Sequence, residues 1–251
     1  MKRIISILKF EFDLYWRPAL IGIIFSVLFI LHMYNLRSSS VLLEKHNVDR
    51  IYITEIIRSL YTESYILIPI LSYIYAKSVS NPISTGLIKT ILSYPITRKC
   101  ILTIKLLLGY SVLFLAGIFP LIYSWIIYVA GYKALISVVM VYALKLLFFV
   151  SLAILISLTV NEALSSFIEV IFLLYLIENL PSLLIEFGLK ELAKVVAIDG
   201  HIYFIYIALS SEDPLNILIK EKTLFSFLLY IVISMLLLYL SFIIFKKKDL
   251  D

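Results

Sequence analysis

Six apolar runs, each long enough to cross a lipid bilayer, dominate this chain of 251 residues. A transmembrane helix needs about 20 predominantly apolar residues. The runs cover residues 18–34, 60–76, 105–128, 134–158, 163–184 and 223–245. Hydrophobic residues make up 62% of the chain and charged residues only 16%, too little polar surface for a water-soluble fold. The sequence therefore predicts an all-α polytopic membrane protein with six transmembrane helices.

The same composition excludes two other classes of protein. A disordered chain would be poor in apolar residues, and a disulfide-stabilised secreted domain would need more than the single cysteine, Cys100. The net charge of +5 does not indicate nucleic-acid binding, because basic residues flank the apolar runs, as Lys246 and Lys247 do after the sixth. We expect these cations to contact membrane lipids instead.

Residues 1–17 predict an amphipathic helix that lies in the membrane interface before the first span. Polar side chains recur there every three or four residues and share one helix face. They are Lys2, Ser6, Lys9, Asp13 and Arg17. An early start of the first span is the alternative interpretation, but Glu11 and Asp13 argue against it. The same charges argue against a cleaved signal peptide.

Lysine and arginine set the expected orientation. With both termini in the cytoplasm, twelve of these residues fall inside and nine outside, and Lys145 lies within a span. We therefore expect a multi-pass plasma-membrane protein with a cytoplasmic loop at 77–104 and a cytoplasmic tail at 246–251. Two long loops, 35–59 and 185–222, then lie outside. The apolar stretch at 202–209 in the second is too short to cross, so it should lie along the membrane or dip into it.

The cytoplasmic loop at 77–104 carries the most informative pattern. Asn81 or Ser84 can cap a short helix whose apolar stripe includes Leu87, Ile91 and Leu92. The sequence Ser-Tyr-Pro at 93–95 ends that helix, and Thr97 then caps a second helix that leads into the third span. A short helix with apolar side chains on a cytoplasmic loop is suited to docking into a groove on a soluble partner.

This loop resembles the loop between spans two and three of ABC-2 type transporter permeases. Those loops commonly read an acid, Gly-Thr, a Leu-rich turn, Ser-x-Pro-[Ile/Val]-[Ser/Thr]-Arg, then Ile-Leu and Lys. The matching residues here are Gly86, Leu92, Ser93, Pro95, Ile96, Thr97, Arg98, Ile101, Leu102 and Lys105. The chain departs from the pattern in lacking the acid before the glycine and in having Leu87 where threonine is usual.

The resemblance implies the permease subunit of an ABC exporter. Such a subunit pairs with a second copy or a sister permease and binds separate ATPase subunits, which hold the ATP and Mg²⁺. The coupling residues would be Gly86, Leu87, Lys89, Ile91, Leu92, Pro95 and Arg98. The chain itself is expected to be neither an enzyme nor a cofactor-binding protein, since its glycines never form the Gly-x-x-x-x-Gly-Lys-[Ser/Thr] phosphate loop.

Three ionisable residues inside the predicted spans are further candidates. Lys145 and Glu178 lie at nearly equal depth on either side of the turn near residue 161, so they pair if their helix faces meet, while Glu169 lies nearer the cytoplasm. They form either a structural ion pair or a substrate contact.

Three alternative functions remain open. One is an ion-coupled secondary transporter that uses Lys145, Glu169 and Glu178, which would need no ATPase. The others are an intramembrane enzyme and a membrane anchor or immunity protein that transports nothing. No metal site is predicted, because the histidines lack ligand spacing. We interpret His32 as interfacial and His46 and His201 as loop residues.

Overall fold

The structure is a computed structural model that describes Lys9 and residues 11–13, 16–37, 48–88, 97–160, 162–211 and 213–247. Within these ranges the chain is almost entirely helical, and no β-strand occurs. A π-helical turn, Ala76–Ser80, joins α2 to α3, and a 3₁₀ turn, Ile198–Gly200, joins α7 to α8. The helices are α1 Pro18–Arg37, α2 Val48–Tyr75, α3 Asn81–Ser84, α4 Arg98–Tyr128, α5 Tyr132–Thr159, α6 Ala163–Glu186, α7 Lys190–Val196, α8 His201–Ser210, α9 Pro214–Lys220 and α10 Thr223–Lys247.

Four helices, α4, α5, α6 and α10, are long and apolar enough to cross a membrane. A fifth candidate is the pair α7 and α8, which is bent by 82° at the 3₁₀ turn. The first predicted span corresponds to α1, whose apolar part, Leu20–Tyr34, is shorter. The second corresponds to α2, which also carries charged residues such as Glu55, Arg58 and Glu63. The all-α membrane class is confirmed, with four to five candidate spans.

The centre of the bundle is α5, which packs against α2, α4, α6, α8 and α10. Of the most apolar stretch of α5, 67% is buried inside the protein, compared with 17% of the corresponding stretch of α10. Both helices are apolar around their whole circumference, so the exposed surface of α10 is apolar as well. An exposed apolar surface of this kind is stable next to lipid chains and unfavourable in water.

Hydrogen bonds at the two ends of the bundle show which helix termini lie together. At one end, which we call the Asp49 end, Gly131 N–H in the α4–α5 turn donates to Asp49 Oδ1 at 2.6 Å. At the other, the Arg98 end, Ser80 Oγ donates to the carbonyl of Val160, after α5, at 3.0 Å. Arg98 Nη1 also donates to the carbonyls of Phe245 and Lys246, at 3.3 and 3.2 Å. The start of α4 and the end of α10 therefore lie at the same end.

Glycine allows close helix packing at the α4–α5 contact. A Cβ atom on Gly117 would collide with the ring of Tyr142, whose hydroxyl donates to the carbonyl of Leu113 at 2.9 Å. Tyr142 is buried, so its ring has little room to move away. Gly117 thereby sets how closely α5 approaches α4.

Several boundaries differ from the prediction. Helix α4 begins at Arg98, and the predicted cap by Thr97 is confirmed. This helix continues without a break into the third predicted span, so the connection after α2 is shorter than 77–104. Helix α2 begins at Val48, inside the predicted outer loop 35–59. The predicted outer loop 185–222 contains α7, α8 and α9. Of the predicted N-terminal amphipathic helix 1–17, Lys9 and residues 11–13 are helical, Trp16 and Arg17 are not, and the rest lies outside the described residues.

Candidate functional site

A buried charged cluster lies where α5, α6 and the α7–α8 bend meet. Lys145 Nζ donates to Glu178 Oε1 at 2.8 Å and to Asp199 Oδ2 at 2.6 Å. The side chains of Lys145 and Glu178 are only 7% and 6% exposed, and that of Asp199 is 16% exposed. The contact between Lys145 and Glu178, which their equal depth suggested, is confirmed. We call these three residues the Lys145 cluster.

Asp199 was missed by the sequence analysis, which placed it in an outer loop. It lies on the 3₁₀ turn at which the apolar segment bends, and α10 supports that bend from the other side. Ser226 Oγ and Tyr230 Oη donate to the carbonyls of Val195 and Val196, at 2.6 and 2.8 Å. These bonds satisfy backbone groups that the broken helix leaves free, so a polar turn can lie inside the bundle. The only sequence signal was an Asp-Gly pair between two apolar runs.

A cavity of about 350 Å³ lies beside the Lys145 cluster. It is large enough for a small ligand, since such sites begin at about 300 Å³. Its charged lining is the cluster itself and Arg58, which is exposed on α2. Aromatic side chains from three helices complete it. They are Tyr61, Phe149 and Tyr230.

Glu169 does not belong to this cluster, which corrects the predicted relay of Lys145, Glu169 and Glu178. It is exposed on α6, nine residues before Glu178, which corresponds to about 13 Å along a helix. Glu169 forms no hydrogen bond or ion pair with another described residue. A direct relay through all three residues is therefore not assembled.

A second polar cluster joins α1 to α2. His32 Nδ1 contacts Glu63 Oε1, and Ser59 Oγ donates to the same carboxylate oxygen at 2.6 Å. His32 is 0% exposed and faces the protein interior, which its interpretation as an interfacial residue did not anticipate. Glu63 and Lys145 both line a cavity of about 20 Å³, roughly the size of one water molecule. The two buried clusters are therefore neighbours.

The interpretation of His201 as a loop residue was wrong. It is the first residue of α8, only 2% exposed, and its Nδ1 atom lies 3.0 Å from Thr223 Oγ1 at the start of α10. A contact between α8 and α10 thus uses a residue that the sequence had assigned to a loop. His46 lies outside the described residues.

The connection between α2 and α4, residues 76–97, is described up to Ile88. Gly86 has a φ of 72°, a conformation that glycine adopts without strain, and the chain turns there after α3. Leu87 and Ile88 are helical, with Leu87 37% exposed and Ile88 buried. Of the other predicted coupling residues, Arg98 begins α4. Outside the described residues lie Lys89, Ile91, Leu92 and Pro95.

A third buried ion pair attaches the N-terminal segment to the bundle. Lys105 Nζ on α4 donates to both carboxylate oxygens of Glu11, at 2.6 and 2.7 Å, and both side chains are 3% exposed. The two residues are 94 positions apart, so no local spacing could reveal the pair. Because a buried unpaired charge is costly, this contact holds residues 11–13 against α4.

Comparison with known proteins adds no identification. No protein-family model matches the sequence, and a search of the curated proteins finds no match. The features of the chain that bear on function are the connection between α2 and α4 with its motif residues and the buried charged clusters.

Proposed function

We propose that this chain is the membrane-spanning permease subunit of an ABC transporter of the ABC-2 type. It would act with a separate ATPase and with a second permease, either another copy or a sister subunit. The observation that carries the proposal is the connection between α2 and α4. Its motif residues are those of the resemblance, and its described part combines a turn at Gly86 with the exposed apolar side chain of Leu87.

The proposal includes six membrane passes, by α1, α2, α4, α5, α6 and α10. Arg98 contacts the last turn of α10, which supports an even number of passes between the start of α4 and the end of α10. Helices α4, α5, α6 and α10 supply that even number. The bent pair α7 and α8 is then a re-entrant segment that enters and leaves on one side.

The orientation follows from the basic residues. The Arg98 end of the bundle would face the cytoplasm, because that assignment puts twelve lysines and arginines inside and nine outside. The connection between α2 and α4 then lies on the side where a cytoplasmic ATPase could reach it. The Lys145 cluster then lies near mid-depth, at the middle of α5, and the α7–α8 bend reaches it from the outer side.

Contacts at the Arg98 end suggest how movement of an ATPase would be transmitted to the membrane helices. Ser80, before α3, is bonded to the carbonyl of Val160 in the α5–α6 turn. Arg98, after the connection, is bonded to the carbonyls of Phe245 and Lys246 in α10. A displacement of the connection by ATP-driven closure of the ATPases would therefore move the ends of several helices together. This movement would open and close an export path.

Binding of an ATPase to Leu87 is the direct test. Leu87→Asp should abolish co-purification of the full-length chain with an ATPase that contains the Gly-x-x-x-x-Gly-Lys-[Ser/Thr] motif. A buried apolar anchor contributes about 2 kcal/mol or more, so affinity should fall at least about 30-fold. The matched control is Leu215→Asp on α9, at the opposite end of the bundle, where Leu215 is 63% exposed.

Three results would count against the permease. They are wild-type affinity in Leu87→Asp, an equal loss in Leu215→Asp, and the absence of any ATPase that binds the wild-type chain. Membrane insertion of each variant should be measured alongside, since a chain that fails to insert also fails to bind.

The buried charges favour one alternative, an ion-coupled secondary transporter. The Lys145 cluster lies beside a cavity, and the His32–Glu63 pair lies close to it. Such groups commonly mark ion and proton paths in membranes. This alternative gains support if the chain, reconstituted alone in sealed vesicles, moves protons or sodium, and if Glu178→Gln abolishes that movement.

A further inference from the structure

We infer that the cavity between the start of α4 and the end of α10 binds the headgroup of an anionic phospholipid. The cavity has a volume of about 350 Å³, lies at the Arg98 end of the bundle, and shares no lining residue with the cavity beside the Lys145 cluster. Its lining comes from two helices that are both candidate spans. The residues are Thr97, Arg98, Lys99, Phe242, Phe245 and Lys246.

The charge of the lining selects an anion. Three of the six lining residues are cations, and none of the six is acidic. The start of α4 and the end of α10 bring helix-dipole ends of opposite sign, which offset each other, so the side chains decide the sign of the potential. Basic pockets between transmembrane helices are recognised binding places for anionic lipid headgroups.

The three cations differ in whether they are bonded to the protein or available to a ligand. Arg98 is held by the carbonyls of Phe245 and Lys246, which fixes the two helix ends relative to each other and forms one wall. Lys99 and Lys246 are exposed, and neither forms an ion pair with another described residue. Their ammonium groups can therefore both reach a phosphate placed between the helix ends.

The surroundings favour a lipid over a free phosphate ion. Phe242 and Phe245 supply apolar surface directly beside the cations. Most of the apolar surface of α10 is also exposed, since only 17% of its most apolar stretch is buried. A phospholipid can place its acyl chains along this surface while its phosphate contacts the lysines, whereas a free phosphate would gain nothing from it.

Such a lipid would brace the end of the bundle next to the connection between α2 and α4. Thr97 is both the last residue of that connection and part of the cavity lining. Occupancy would tie α4 to α10 at that point. This inference does not depend on the permease proposal, because lipid binding is measured on the chain alone, without an ATPase.

The test is lipid retention by the full-length chain. The protein is extracted from vesicles containing equal amounts of phosphatidylglycerol and phosphatidylcholine, and its bound lipids are measured by native mass spectrometry. Wild type should retain phosphatidylglycerol preferentially. The double variant Lys99→Gln/Lys246→Gln should lose about fivefold in preference per lysine, or about 25-fold in total, since a cation near anionic lipid contributes about 1 kcal/mol.

A charge-matched control separates this site from general surface attraction. Lys190→Gln/Lys220→Gln removes the same charge from exposed positions on α7 and α9, and should leave the preference unchanged. The inference is overturned if wild type shows no preference, or if both double variants lose it equally. Displacement of the bound lipid by glycerol phosphate alone, at the concentration of the lipid, would show a free-anion site and overturn the lipid assignment.

Discussion

Replacing Lys145 with methionine should be the most destabilising single change in the Lys145 cluster. Methionine keeps the length and apolar character of the side chain but leaves the carboxylates of Glu178 and Asp199 without their cation. Removing one partner of a buried ion pair costs about 3–5 kcal/mol, because the remaining charge is left in a medium of low dielectric constant. Both carboxylates are largely buried here, so Lys145→Met should reach at least that range.

Removing a carboxylate should cost less. Glu178→Gln leaves the Lys145–Asp199 pair intact at 2.6 Å and keeps an oxygen that can accept from Lys145. Its cost should therefore be that of a weakened charged hydrogen bond, about 1–3 kcal/mol. In the double variant Lys145→Met/Glu178→Gln, only one unpaired carboxylate remains. We therefore expect the double variant to be about 1–3 kcal/mol more stable than the sum of the single effects predicts.

The assay is reversible unfolding in mixed micelles, titrated with dodecyl sulfate and followed by the fluorescence of Trp16 and Trp125. Lys190→Met serves as a control, because Lys190 is exposed at the start of α7 and forms no ion pair with another described residue. Single effects that add within about 0.5 kcal/mol, the scatter expected of independent sites, would show that Lys145 and Glu178 are not coupled. A Lys145→Met variant as stable as Lys190→Met would contradict the expected cost of leaving the two carboxylates unpaired.

Two further predictions concern packing and topology. Gly117→Ala should lower the free energy of unfolding by about 1–3 kcal/mol because its Cβ would overlap the buried ring of Tyr142; Gly22→Ala, in open space on α1, should not lower it, and an equal loss in both would contradict the packing argument. Cysteines placed at Leu215 and Lys247, in a Cys100→Ser background, should react with an impermeant reagent from opposite faces of sealed vesicles. Labelling of both from one face would contradict the assignment of α10 as a membrane pass.

The bent segment between α6 and α10 links the Lys145 cluster to α10, which also contacts the start of α4 at the Arg98 end. It positions Asp199 beside Lys145, and the end of α7, just before the bend, is held by α10 through Ser226 and Tyr230. A change in the relative position of α5 and α10 would therefore move the bend and alter the shape of the adjacent cavity. Movement at the Arg98 end, where α10 is bonded to the start of α4, offers one way to produce that change.

The sequence alone determined where most helices lie. Both boundaries of α5, α6 and α10 lie within two residues of the predicted runs. The agreement is expected, because a run of about 20 apolar residues is a local property of the sequence that by itself favours a membrane-spanning helix. The cap of Thr97 on α4 is local too, since its hydroxyl accepts from Cys100 three residues later. The equal depth of Lys145 and Glu178 could also be predicted from the sequence, because a tight turn between two straight helices fixes the register of one helix against the other.

Which distant charges meet depends on how the helices pack against one another. Asp199 joins Lys145 because α10 satisfies the backbone of a broken helix, and an apolar run interrupted by Asp-Gly does not by itself specify such support. The pairing of His32 with Glu63, and of Glu11 with Lys105, joins residues 31 and 94 positions apart, for which the chain carries no spacing signal. A buried charge is stable only when its partner is present, so the packing of whole helices selects these pairs, and local pattern cannot.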